Sequence, residues 1–187
     1  MQKLQKRMIV ATIVILLGLL IGGAIWYCQD QHIIIPVNLT QEEQKDYEQK
    51  VQDYEKKIQT ETDPEDSLKR PYMDHFLEKA RYETYLGRLS EAEKTLRKGL
   101  SHYETSSAAH HNLAKIYEKM GKNQKAIKEY LILANEYRMQ QYLLDAARAA
   151  IVDNDYKNAF RNYWDYQKVF KTPDITIEDW LRKNKKS

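Results

Sequence analysis

The sequence predicts an all-α protein with an N-terminal transmembrane helix, a helical stalk and a solenoid of short helix pairs. Three observations predict this. An apolar run occupies residues 8–27. Glycine (6) and proline (4) are scarce, which disfavours turn-rich β-architectures and collagen-like or low-complexity chains. From Met73 onward, glycine and alanine recur at near-constant spacing within amphipathic helical patterns.

Residues 1–7 carry Lys3, Lys6 and Arg7 and no acid. The run at 8–27 is about 30 Å long as a helix, enough to cross a bilayer core. Ile9, Leu16 and Leu20 would face lipid, and Trp26 and Tyr27 fall where an interfacial aromatic belt would lie. The first base after the run is Lys45. The positive-inside rule then leaves the N-terminus in the cytoplasm and the rest outside it. A cleaved signal peptide is the rival reading, with Gly22-Gly23-Ala24 offering a cleavage site after Ala24. Gly18 and Gly22 form one GxxxG, which would let two copies approach closely as a homodimer. The single cysteine, Cys28, excludes an internal disulfide framework and a Cys-based zinc finger.

Residues 28–72 read as an acidic stalk and linker. Thr40 and Glu43 make a capping-box start for a helix running to about Ile58. Tyr47, Val51, Tyr54 and Ile58 are spaced 4, 3 and 4, giving one thin apolar stripe. Barely two heptads is short for a coiled coil, so the stripe is expected to lie on a neighbouring helix rather than form a dimer stalk. Asp63-Pro64 and Arg70-Pro71 break the pattern.

From Met73 the chain repeats. Gly87 and Gly121 are 34 apart, as are Ala92 and Ala126; Asn154 and Ala159 follow 33 residues on. Asn substitutes naturally for Gly in a left-handed turn. Six helices are expected at about 73–86, 89–103, 107–120, 123–137, 140–152 and 156–170. A seventh, capped by Thr176 and carrying Ile177, Trp180 and Leu181, would cover the last pair before a basic tail.

The pattern resembles the tetratricopeptide repeat family, whose period is about 34 residues. Leu113, Ala114, Tyr117, Gly121, Ala126 and Tyr130 occupy its signature positions in the second copy. The third copy supplies Ala146, Ala147, Asn154, Ala159 and Tyr163. The first supplies Phe76, Ala80, Gly87, Ala92 and Leu96, but has Lys79 and Glu83 where Leu and Tyr are usual. The copies span 73–106, 107–139 and 140–171, and residues 172–187 hold the capping helix and tail. The resemblance implies a groove lined by the first helix of each copy. Among its expected lining residues are Arg81, Thr84 and Tyr85 in the first copy, then His111, Asn112, Lys115 and Lys119 in the second. Arg148 represents the third. Arg81, Lys115 and Arg148 share one repeat position and would form a cationic ladder suited to an acidic or extended peptide. The family's carboxylate clamp is matched only by Asn112 of its five positions, the others holding Leu77, Arg81, Gln141 and Asp145.

No HExxH, phosphate loop or GxSxG occurs, so neither an enzyme nor a cofactor is expected. The formal charge of +3 resides in residues 1–29, which disfavours nucleic acid as a partner. Residues 30–66 carry 4 bases and 11 acids, whereas residues 67–187 carry 23 bases and 16 acids. The acidic stretch could therefore lie across the basic groove. The expected function is a membrane-anchored adaptor or scaffold binding protein segments on the extracytoplasmic side. The alternative is a structural subunit of an envelope machine, assembling through its transmembrane and stalk helices.

Overall fold

The computed structural model describes residues 38–62, 66, 68 and 70–185. The chain divides into two compact units, Met1–Ile34 and Ile35–Ser187. All described residues belong to the second. The expected membrane span at 8–27, including Ile9, Leu16, Gly18, Leu20, Gly22, Trp26 and Tyr27, lies outside the described residues. Among the described residues, no helix is long and apolar enough to cross a membrane.

The described residues form eight helices and no strand. They are α1 (Gln41–Thr60), α2 (Met73–Tyr85), α3 (Leu89–His102), α4 (Ser107–Lys119), α5 (Asn123–Asn135), α6 (Tyr142–Val152), α7 (Tyr156–Phe170) and α8 (Ile175–Asn184). Each packs on its neighbours in chain order, a solenoid-like arrangement.

Three corners share one backbone device. Gly87, Gly121 and Asn154 have φ of 74°, 68° and 54°, the left-handed region that tolerates few side chains. The residue after each donates back five positions: Arg88 N to Glu83 O, Lys122 N to Tyr117 O and Asp155 N to Ala150 O, all 2.8 Å. This is the Schellman closure, which satisfies a carbonyl that the ending helix would orphan. An added Cβ at Gly87 or Gly121 would meet nothing within 4 Å, so backbone conformation rather than space selects glycine there. Gly99 is the opposite case, since a Cβ there would come 2.9 Å from the Phe76 Cβ.

The core runs along the helix pairs. Ala92, Leu96, Leu113, Ala114, Tyr117, Ala126, Tyr130, Ala146, Ala147 and Ala159 are fully buried. Small alanines at the crossings bring the axes together, and the tyrosines fill the spaces between pairs.

α1 opens with the expected capping box. Thr40 accepts from Glu43 N at 3.2 Å, and Glu43 accepts from Thr40 N at 2.9 Å. It does not project as a separate stalk. It lies antiparallel on α2, with Glu48 on Arg88 (2.8 Å) near one end and Glu61 on His75 (3.0 Å) near the other. Its stripe is spent on that contact. Tyr47 meets Tyr82 and Tyr85, Tyr54 stacks on Tyr82, and Ile58 is buried.

Two expected boundaries shift. Asp174, not Thr176, caps α8: its Oδ1 accepts from Thr176 N at 3.1 Å and Ile177 N at 3.2 Å. Thr176 donates its hydroxyl to the same oxygen, because a carboxylate is the stronger acceptor. The first helix of the third pair begins at Tyr142 rather than 140, after a tighter turn at Gln140 and Gln141.

Candidate functional site

The expected groove residues lie on α2, α4 and α6. Arg81, Lys115 and Arg148 hold equivalent places on these helices, and each has an acid beside it. Arg81 pairs with Glu78, Lys115 with Glu118 at 3.1 Å, and Arg148 with Asp145 at 3.6 Å and Asp174 at 2.9 Å. The three therefore present alternating charge, not bare cations. Burial disfavours the charged Arg81 guanidinium, but Glu78 and the adjoining Tyr82 and Tyr85 outweigh it and raise its pKa. The Thr176 hydroxyl bond holds Asp174 below the usual carboxylate range, against a burial effect, with Arg148 adding to it.

Aromatic rings back the middle of this face. Lys115 lies over the Tyr130 ring at 5.4 Å, Tyr130 stacks on Tyr142, and His111 meets Tyr142 at 5.4 Å. Burial, then Glu118 and Asp145, push the Tyr130 phenol far up, so it stays neutral. Asn112 is half-buried and Lys119 is exposed on the same helix. Tyr85 is covered in part by Tyr47 of α1. Thr84 does not line the groove: it is 1% exposed, and its hydroxyl donates to Ala80 O at 2.7 Å. Four and eight residues from Ala80 and Phe76, it falls on the buried face of α2.

The acidic helix reaches this face only at its α2 end, over Tyr85. α1 packs chiefly on α2, and Lys115 and Arg148 keep their own acids. Its docking point explains the irregular first copy. Lys79 is 12% and Glu83 3% exposed at the side chain, and they form an ion pair within the α2 joint. Lys79 also donates to Thr95 at 3.1 Å and meets Glu55 of α1 at 3.3 Å. An ionic joint receives a polar helix where Leu and Tyr would require an apolar one.

Two further clusters escape sequence reading. Glu93 gathers the Tyr117 hydroxyl at 2.8 Å with Arg97, Lys122 and Lys125, tying the first pair to the second. Burial alone would raise its carboxyl, but the Tyr117 bond and the lysines lower it on balance. Beside it, His110 meets the buried Glu129 at 2.7 Å. These residues are far apart in sequence, so spacing gives no sign of them. Among the described residues, no group of three or more His, Cys, Asp or Glu could hold a metal ion.

No family model matches the chain, no curated protein matches it, and no solved structure matches it.

Proposed function

We propose that this chain is a single-pass, membrane-anchored tetratricopeptide adaptor. In this reading, residues 8–27 hold it in the bilayer and the helix pairs bind protein segments on the extracytoplasmic side. The observation that carries the reading is the corner repeated at Gly87, Gly121 and Asn154, with equal closing hydrogen bonds. It orients α2, α4 and α6 alike and sets Arg81, Lys115 and Arg148 at matching places.

The pairing of those cations shapes the kind of partner. A bound segment must exchange its own carboxylates for Glu78, Glu118 and Asp145. Exposed ion pairs are worth about 0–1 kcal/mol each, so such exchange costs little and returns little. Binding would be reversible and would favour segments with acids near the spacing of successive first helices. His111, backed by the buried Tyr142, supplies ring contact beside the charges.

The alternative, a structural subunit assembling through its stalk, loses one support. The stripe of Tyr47, Tyr54 and Ile58 is engaged within the chain, leaving no free seam for a coiled coil.

The test is co-purification of the full chain from mild detergent, with and without Arg81→Ser, Lys115→Ser and Arg148→Ser together. The adaptor reading expects captured proteins to be lost with helical content unchanged. Capture that survives the triple change refutes groove binding. Extraction of the chain by alkaline carbonate refutes the anchor.

A further inference from the structure

The last helix pair carries more aromatic surface than its packing consumes. Four rings run in series: Trp180 of α8, then Tyr156, Phe160 and Trp164 of α7. Neighbouring centroids are 6.0–6.2 Å apart and the planes tilt by 24° or less. Tyr156, Phe160 and Trp164 are spaced i, i+4 and i+8, so they stand in one row on the helix. The far end of the row is open to solvent. Phe160 is 46% and Trp164 55% exposed. Tyr156 and Trp180 pack against the core, but the exposed half of the row, Phe160 and Trp164, is not explained by it, since the core takes Ala159, Asn162 and Tyr163 from α7.

The flank of the row is basic. Lys157, Arg161 and Lys168 lie on the arc of α7 next to Trp164, all exposed. Lys168 pairs with Asp165 at 2.9 Å, and Arg161 donates to Asn158. Trp164, Lys168 and Lys171 also line a surface hollow of about 360 Å³, together with Tyr163, Gln167 and Glu178. Lys171 ends α7 in the left-handed region, φ 50°. Arg182, Lys183 and Lys185 are exposed on the final helix and beyond it.

Tryptophan and phenylalanine beside lysine and arginine suit one environment above others: the headgroup region of an anionic bilayer. There the rings enter the acyl boundary while the cations remain among phosphates. A row standing proud of a helix suits a fluid surface better than a rigid partner, which would need a matching slot. The tether permits it. Residues 28–40 separate the proposed span from α1 and reach at most about 45 Å when extended.

We propose that the α7 face built on Phe160 and Trp164, with Lys157, Arg161, Lys168 and Lys171, is a docking surface for anionic phospholipid. This rests on the membrane-anchored reading for proximity to a bilayer. Docking would lay the helix pairs against the surface by their last pair.

The test uses the full chain in vesicles of phosphatidylcholine alone, or rich in phosphatidylglycerol, with lipids brominated in the acyl chain. Trp26→Phe and Trp180→Phe leave Trp164 as the single tryptophan, excited selectively over the tyrosines at the red edge of the band. Docking predicts quenching and a blue shift of Trp164 in the anionic vesicles. The docked-to-undocked ratio should fall about fivefold for each of Lys157, Arg161 and Lys171 changed to Ser. High salt should reverse the quenching. The wild-type chain minus the Trp164→Phe chain gives the same reading without altering Trp180. No quenching in anionic vesicles overturns the proposal, as does equal quenching in neutral ones. Concentration-dependent cross-linking between α7 faces, without quenching, assigns the surface to a second copy and also overturns it. Carbonate extraction of the same samples reports on anchoring separately: an extractable chain with Trp164 quenched sinks the anchor and keeps the docking surface.

Discussion

Breaking the Lys79–Glu83 pair should have unequal effects from its two sides. Glu83 is 3% exposed, its Oε2 has no hydrogen-bond partner, and among the described residues Lys79 is the one cation paired with it. Lys79→Met therefore leaves a buried carboxylate without compensation, at about 3–5 kcal/mol. Glu83→Leu is milder, because Lys79 keeps Glu55 at 3.3 Å and Thr95 at 3.1 Å; about 1–2 kcal/mol is expected. Lys79→Met with Glu83→Leu removes both charges and should return to within about 1 kcal/mol of the parent, or exceed it. The cycle then shows a coupling of about 3–7 kcal/mol. Urea unfolding of the full chain in detergent, followed by far-ultraviolet circular dichroism, measures all four corners. If each single change costs under about 0.5 kcal/mol, the pair is solvated and the buried-joint argument fails. The same follows if the double change is no better than Lys79→Met.

Gly99→Ala should destabilise the first pair by about 1–3 kcal/mol, because the new methyl meets Phe76 at 2.9 Å; a shift in urea midpoint reads it. Asn154→Gly should be neutral or stabilising by up to about 1 kcal/mol, and Asn154→Val destabilising by about 1–2 kcal/mol, since φ is 54°. Burial, then Glu93, pushes the Tyr117 phenol up to about 12 from 10.0, so the unfolded chain releases that proton first as pH rises. The stability it contributes is complete below pH 10.0 and drains away toward about 12; Tyr117→Phe should flatten the stability profile over that range. Asp174, lowered by its bond to Thr176, contributes above its ordinary value of 3.8 and loses that contribution as pH falls through its folded pKa. Asp174→Ala should cost about 1 kcal/mol at neutral pH and remove that part of the acid sensitivity.

What could be read from the sequence was local or periodic. The Gly87 and Gly121 corners were legible because a left-handed turn leaves one residue type, and Asn154 because asparagine is its nearest substitute. The Thr40–Glu43 cap was legible because both partners fall within one turn. The stripe of Tyr47, Tyr54 and Ile58 indicated a helix needing a neighbour, but not that α2 was the neighbour. Thr84 was misplaced because the repeat template assigned it to the groove, whereas its spacing from Phe76 and Ala80 sets it on the buried face of α2. The cations at Arg81, Lys115 and Arg148 were legible as a set. Their acids were only partly so: Glu78, Glu118 and Asp145 lie one turn away, whereas Asp174 reaches Arg148 from another helix. Glu93 and its four partners span three helices and a corner, and no spacing rule joins them. The α7 row was open to discovery, since Phe160 and Trp164 fall outside the core positions of the repeat.

The two ends of the helix stack differ in kind, and that difference orders its stability. Interior joints bury alanine, leucine and tyrosine almost completely, so opening one exposes apolar surface at about 25 cal/mol per Å². The α1–α2 joint has one fully buried α1 residue, Ile58, worth about 2 kcal/mol, and otherwise relies on half-exposed tyrosines and surface ion pairs. Separation there returns Glu48, Glu55 and Glu61 to water at small cost. The far end is closed by Ile177 and Leu181, buried beneath α8, with Tyr163 tied to Glu178 at 2.9 Å and to Asp174 N at 2.8 Å. α1 should therefore open first. Amide exchange should be fastest in α1, slower in α8 and slowest in α4 and α5, whose contacts lie on both sides. Exchange in α1 as slow as in α4 would show that its tyrosine contacts act as a core, and the contrast between an ionic end and an apolar interior would not hold.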